Sequence, residues 1–104
     1  MPPPPTPQQR AGSLISEVNN LANQGTLNRN QEKTLNTRLK IAVDSMNEGR
    51  TATACSQVAA LINQVQMYLK RGTLTQAQAQ SLTDAADKLR ASLGCQQEND
   101  LRSH

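Results

Sequence analysis

The chain has 104 residues, a net charge of +3 and a hydrophobic fraction of 36%, with no Phe or Trp and one aromatic residue, Tyr68. This length suits one domain with a thin aliphatic core that a crosslink would help to stabilise. The scattered positive charge lacks the clustering and interleaved aromatic residues of a nucleic-acid-binding stripe, and no stretch reaches the roughly 18 apolar residues of a membrane span, so we expect neither nucleic-acid binding nor membrane insertion.

The N-terminal segment is rich in proline. Residues 1–9 read MPPPPTPQQ, a composition typical of a stiff, extended spacer without internal hydrogen bonds. We therefore predict a Pro-rich linker over residues 1–12, which tethers the following domain to other domains of a larger parent protein.

Four helical patterns follow, with apolar residues spaced three and four apart. They cover residues 13–23, 29–48, 52–71 and 76–93. Each is followed by a glycine, where a left-handed residue closes the last helical turn. Because the connecting loops are short, sequential helices are expected to be antiparallel. The prediction is an all-α, antiparallel four-helix bundle over residues 13–95.

The bundle consists of two repeated helical hairpins. The segment GTLNRNQ (residues 25–31) reappears as GTLTQAQ (residues 72–78), 47 positions later. In each copy a helix begins after Asn28 or Thr75, with Gln31 or Gln78 three residues on. This spacing predicts a capping box, in which the N-cap side chain and the Gln side chain each bond the other residue's backbone amide. A doubled ligand site at the two glutamines explains the recurrence less fully.

The two cysteines are expected to form a disulfide. Cys55 lies near the start of the third helix and Cys95 follows the fourth, so the antiparallel hairpin brings them to one end of the bundle. A bridge would close a loop of about 40 residues and stabilise the fold by roughly 4 kcal/mol at best. In the first hairpin these positions hold Gln8 and Glu48, so the bridge joins only the second hairpin. A disulfide points to an oxidising compartment.

Other uses of the cysteines fit the sequence less well. A metal site would need more ligands, and the lone histidine is His104 in the C-terminal tail. Copper could be bound by the cysteines with Met46 or Met67, but both methionines occupy helix faces. Redox catalysis would favour a Cys-x-x-Cys motif, which is absent. We predict no metal and no cofactor.

No catalytic constellation is present, and the sequence predicts no enzyme. Asp84 and Asp87 share a helix face, but Lys88 lies four residues after Asp84, so a surface ion pair explains Asp84 more simply. Tyr68 occupies the register position of Leu21, which favours the core or its edge. A binding face around Tyr68 is the alternative, since Lys70 and Arg71 follow it.

The surface is rich in amide side chains. Asn and Gln make up 21 of the 104 residues, and such a surface suits carbohydrate or peptide contacts as well as a simple solvated face.

The C-terminal residues are predicted to be disordered. Residues 96–104 are polar and end in Arg-Ser-His, so we predict a disordered tail that is in part vector-derived.

These motifs resemble a known family. The repeated GTL segments, the run ACSQVAALINQV (residues 54–65) and the LGC end (residues 93–95) are similar to the FIMAH-type domain, a small helical module at the C-terminal ends of large secreted bacterial proteins. The resemblance covers residues 14–95 and is weakest in the first helix. It implies a non-catalytic accessory role in attachment or recognition, with no binding residue to carry over.

The expected function is that of an accessory module, secreted, extracellular, at the cell surface or in the periplasm, that binds a protein, a glycan or the cell surface. We expect a monomer. Two alternatives remain: a structural spacer or oligomerisation bundle without a ligand, and a small periplasmic metal-binding protein.

Overall fold

The computed structural model describes residues 6–95. This part of the chain contains four helices, α1 (Pro7–Asn23), α2 (Arg29–Asn47), α3 (Thr51–Lys70) and α4 (Gln76–Leu93), and no β-strand. The predicted all-α fold of two helical hairpins is confirmed. Residues 1–5, which hold the Pro-Pro-Pro-Pro run, and the predicted tail over residues 96–104 lie outside the described residues.

The first helix begins at Pro7, earlier than the predicted start at residue 13. The Thr6 hydroxyl accepts a hydrogen bond from the Gln9 backbone amide at 3.1 Å, and the Thr6 amide donates to Gln9 Oε1 at 2.9 Å. Proline at the first helical position lacks only an amide hydrogen that would have no helical partner there. Residues 7–12, assigned from the sequence to the linker, therefore form the first turns of α1 and bring Ala11 into the core.

The four helices pack as a ring. Helix α1 lies beside α2 and α4, and helix α3 lies beside the same two. In this part of the chain the diagonal pairs α1–α3 and α2–α4 have no Cα atoms within 8 Å of each other. Under the 47-residue repeat, α1 corresponds to α3 and α2 to α4. The α2–α3 interface therefore has a repeat-related counterpart in the α4–α1 interface.

The core follows the repeat. Matched positions are buried to nearly the same extent in both hairpins, as in Leu14/Leu61, Val18/Val65 and Leu35/Leu82. At two matched positions the large and the small side chain are swapped between the copies. Helix α2 has Leu39 and Ala42, whereas α4 has Ala86 and Leu89 at the corresponding positions, and all four are buried. The exchange keeps the summed side-chain volume constant, a change that cores tolerate well.

All four helices end with the same backbone motif. After α1, the Gly25 amide donates to the Ala22 carbonyl and the Thr26 amide donates to the Leu21 carbonyl. Gly25 has φ +81°, a left-handed conformation that glycine adopts at little cost. This is the Schellman motif, and it repeats at Gly49, Gly72 and Gly94.

Two loop residues belong to the core. Leu27 and Leu74 lie between helices at repeat-related positions, and each is only 2% exposed. The Leu27 amide donates to the Leu21 carbonyl, and the Leu74 amide donates to the Tyr68 carbonyl, at 3.3 Å in both cases. The helix-ending motif thus turns the chain so that a loop side chain covers the end of the core.

Candidate ligand-binding grooves

One end of the bundle is closed covalently. Cys55 and Cys95 form the predicted disulfide, with their Cα atoms 5.8 Å apart. Both thiols are therefore occupied, and neither is available for the alternative copper site. Met46 is partly buried against the core and Met67 is 43% exposed on the surface of α3. Among residues 6–95 no group of three or more His, Cys, Asp or Glu side chains could hold a metal ion.

The first hairpin closes the same end of the repeat with a hydrogen bond. Gln8, the counterpart of Cys55, donates through Nε2 to Asn47 Oδ1 at 3.3 Å. Asn47 immediately precedes Glu48, the counterpart of Cys95. From the sequence, the first hairpin has no equivalent of the bridge, because Gln8 and Glu48 stand where the second hairpin has its cysteines. The structure places a weaker polar contact where the second hairpin has its disulfide.

The predicted capping residues lie at the starts of α2 and α4. The Gln31 amide donates to Asn28 Oδ1 at 2.8 Å, and the Asn28 amide donates to Gln31 Oε1 at 2.9 Å. Thr75 and Gln78 form the same pair of bonds, at 3.1 and 2.9 Å. These side chains satisfy backbone amides that have no helical partner, so Gln31 and Gln78 have a structural role.

Each hairpin also carries one polar side-chain contact between its helices. Asn36 Nδ2 donates to Asn19 Oδ1 at 2.9 Å between α1 and α2. At the matched positions of the second hairpin, Gln66 Nε2 donates to Thr83 Oγ1 at 3.3 Å. Both hairpins thus have a hydrogen bond at this position, although the two residues that form it differ between the hairpins.

Two residues singled out in the sequence do not form a site. Tyr68 is 4% exposed and part of the core cluster, so the alternative of a binding face around it is wrong.

The predicted ion pair between Asp84 and Lys88 does not form. The Asp84 carboxylate instead accepts a hydrogen bond from Gln80 Nε2 at 2.9 Å. In the described part of the chain the ion pair is between Arg50 and Glu48, at 3.3 Å. Both of its side chains are largely exposed, so it contributes little to stability.

A shallow groove runs along the outer side of α2 beside α3. This α2/α3 groove has a volume of about 520 Å³ and is lined by seven residues, Asn30, Lys33, Thr34, Thr37, Arg38, Ile41 and Gln57. Its lining includes two cationic side chains and no acidic one. Ile41 is the one large apolar residue in it and is 40% exposed.

A second groove lies between α4 and α1. This α4/α1 groove has a volume of about 730 Å³ and is lined by eight residues, Gln9, Arg10, Ser13, Glu17, Ser81, Asp84, Ala85 and Lys88. Its two cationic side chains are balanced by the carboxylates of Glu17 and Asp84.

The two grooves occupy corresponding positions of the repeat. Five residues of the α2/α3 groove align with residues of the α4/α1 groove at a shift of 47, and the aligned pairs are Thr34/Ser81, Thr37/Asp84, Arg38/Ala85, Ile41/Lys88 and Arg10/Gln57. The repeated backbone therefore forms a groove at the same position in both copies. Four of these five exchanges change the charge, so the two copies have diverged in electrostatics.

The α2/α3 groove contains two hydrogen-bonding atoms without a partner. Arg38 Nε and Gln57 Oε1 are both buried and bond to no described residue. One is a donor and the other an acceptor, yet they do not pair with each other. In the α4/α1 groove, Arg10 Nε is in the same situation. Buried polar atoms normally have partners, so a ligand that supplied them would gain hydrogen bonds at these positions.

One feature of the sequence, the spacing of polar residues along α2, indicates the α2/α3 groove. Positions 30, 34, 37 and 41 of α2 are spaced four, three and four apart, the spacing of one helix face. That face carries Thr, Asn and one Ile rather than Glu and Lys. Whether α3 lies beside it depends on the order of helices around the ring, which periodicity does not determine.

The fold and these surfaces define a small helical domain made of two copies of one hairpin. A family model for the FIMAH domain matches residues 11–91. This match covers well over half of the chain, and the chain belongs to the FIMAH domain family, as its motifs predict. No curated protein and no solved structure matches it. None of the helices of residues 6–95 has the length and hydropathy needed to span a membrane.

Proposed function

We propose that this domain is a non-catalytic accessory module that attaches a larger protein to an extracellular partner. The observation that carries the proposal is the family match, which spans nearly the whole bundle and places the chain among small domains of larger proteins. The partner is a glycan, a protein or another component of the cell surface, and the domain acts as a monomer.

The grooves support a binding role. Both are open, and both are lined mainly by polar side chains with rotatable hydrogen-bonding groups. A module that served only as a spacer would gain nothing from buried donors and acceptors without partners, because each such atom destabilises the fold by about 1–3 kcal/mol. Sites that bind ligands often retain such atoms, since the ligand satisfies them.

The disulfide supports an extracellular location. Cys55 and Cys95 are bonded to each other, and such bonds persist in oxidising compartments and are rare in reducing ones. A secreted or cell-surface parent protein would give the domain both the right redox environment and access to glycans and surface proteins.

Binding by the isolated chain tests the proposal. A fluorescently labelled, oxidised sample of residues 1–104 is applied to a panel of acidic and neutral polysaccharides, peptidoglycan and intact bacterial cells. We expect saturable binding to at least one member, and loss of that binding on heat denaturation. The control is the same fluorescent label without the protein.

The competing spacer or oligomerisation role makes a different prediction. It requires no binding to any member of the panel, and an oligomerisation bundle also requires a mass above that of one chain in multi-angle light scattering. A monomer that binds nothing on the panel, or an oligomer that binds nothing, overturns the proposed function.

A further inference from the structure

We propose that the α2/α3 groove binds a carboxylated polysaccharide, with the carboxylate of a uronate sugar at Lys33 and Arg38. This inference rests on the proposed function and names the class of ligand. The groove has two cationic side chains and no acidic residue in its lining. Neither cation forms an ion pair with any of residues 6–95. An anionic ligand would therefore find both charges available.

The two unpartnered atoms define what the ligand has to offer. Arg38 Nε needs an acceptor and Gln57 Oε1 needs a donor. A uronate sugar supplies both, an acceptor in its carboxylate and donors in its hydroxyl groups. Guanidinium groups bind carboxylates with particularly strong, directional hydrogen bonds.

The remaining lining favours a sugar over a peptide. Thr37 and Asn30 add a hydroxyl and an amide group, which both donate and accept hydrogen bonds. The Thr34 hydroxyl donates to the Asn30 carbonyl at 2.9 Å and can still accept a hydrogen bond from a ligand. Peptides and proteins bind chiefly through apolar or aromatic anchors that fill pockets. The groove is shallow and offers one apolar side chain, the half-exposed Ile41. An acidic peptide would therefore satisfy the charges but find no pocket for an anchor.

The α4/α1 groove provides an internal comparison. It has the same position in the repeat, but Asp84 and Ala85 occupy the positions of Thr37 and Arg38, and Glu17 adds a second carboxylate. Its cations are balanced by acids within the groove. An anionic polysaccharide should consequently prefer the α2/α3 groove, although the two share a backbone architecture.

The repeat also supplies the test variants. Gln80 is the counterpart of Lys33, and Ala85 is the counterpart of Arg38. The double variant Lys33→Gln/Arg38→Ala therefore introduces side chains that the same fold already accepts at matched positions. The control is Lys70→Gln/Arg71→Gln, which removes the same charge from exposed positions outside both grooves.

The experiment measures the affinity of the oxidised chain for a defined oligogalacturonate by calorimetry. We expect the double variant to bind at least about tenfold more weakly than the wild type, and the control to change by less than about threefold. The single variant Lys33→Gln, at an exposed position, should weaken binding without affecting the fold, as circular dichroism would check. A neutral oligosaccharide of equal length and a polyglutamate peptide of equal charge should bind far more weakly than the uronate.

Several outcomes overturn the proposal. These are absence of oligogalacturonate binding, equal weakening in the double variant and the control, and polyglutamate binding as strong as uronate binding. The last would indicate an acidic peptide as the ligand. If the panel reveals a different ligand whose affinity is unchanged in the double variant, the accessory binding function stands and only the assignment of this groove fails.

Discussion

At the scale of single residues, the loop leucines are the least expected contributors to stability. Leu27 is 2% exposed although it lies outside the helices, so truncating it leaves a cavity at the end of the core. We expect Leu27→Ala to lower the free energy of unfolding by about 2–5 kcal/mol, the range of buried leucines in helices. Urea denaturation of the oxidised chain measures this loss.

The control for that substitution is Met67→Ala. Met67 is 43% exposed, and we expect its truncation to change stability by no more than about 0.5 kcal/mol. Equal effects of the two substitutions would mean that the loop does not seal the core.

The sequence determines burial well wherever a residue lies in a helix, since a spacing of three and four identifies the inner face. Leu14 and Val18 of α1, four residues apart, are both buried. The sequence does not determine burial in a turn, because the direction of a loop side chain depends on the backbone motif that ends the helix. Tyr68 aligns with Leu21 in the repeat, and this alignment alone predicted that its side chain lies in the core or at its edge. The ring is indeed buried in the core.

At the scale of helices, the starts depend on short polar motifs. The Asn28 side chain accepts from the Gln31 amide, and its removal leaves that amide without a protein partner at the start of α2. We expect Asn28→Ala to cost about 0.5–2 kcal/mol in the free energy of unfolding, measured by urea denaturation followed by circular dichroism.

The second hairpin provides the conservative control, because Thr75 performs the same role there. Asn28→Thr should retain most of the stability, since threonine also caps helices, although somewhat less well than asparagine. A loss equal to that of Asn28→Ala would show that capping is not the source of the effect.

The same motif explains the one helix boundary that differs from its prediction by more than one residue, the start of α1. Thr6, Pro7 and Gln9 form a capping box with proline at the first helical position, a start signal that the sequence contains in full. The preceding prolines favoured an extended linker through composition alone. A local hydrogen-bonding motif decides where a helix begins, and composition over a longer window does not.

At the scale of the whole molecule, the disulfide is the strongest single constraint on the second hairpin. It links residues separated by 40 positions, so reduction frees the ends of α3 and α4 in the unfolded chain. We expect reduction to lower the free energy of unfolding by up to about 4 kcal/mol, seen as a lower urea midpoint with reductant. A Gln8→Ala substitution, which removes only the hydrogen bond to Asn47, should cost at most about 1.5 kcal/mol.

The overall architecture followed from the sequence because the repeat, the short loops and the cysteine positions all favour antiparallel hairpins. The grooves did not follow from it. They form between helices from different hairpins, and a repeat specifies each hairpin without specifying how the two pack together. The charge difference between Arg38 and Ala85, or Ile41 and Lys88, acquires meaning only when the ring of helices places these residues in corresponding grooves.

The repeat makes one further prediction about the whole fold: the disulfide can be moved. Gln8 and Glu48 occupy the positions of Cys55 and Cys95, and the bond between Gln8 and Asn47 already brings these ends together. In a background with Cys55→Ala and Cys95→Ala, we expect Gln8→Cys with Glu48→Cys to form a bridge spontaneously, visible as a mass decrease of about two hydrogens relative to the reduced chain. Because the closed loop has the same length, the bridge should restore up to about 4 kcal/mol of stability. Persistently free thiols under oxidising conditions would mean that the two hairpins, despite their shared pattern, do not close in the same way at this end.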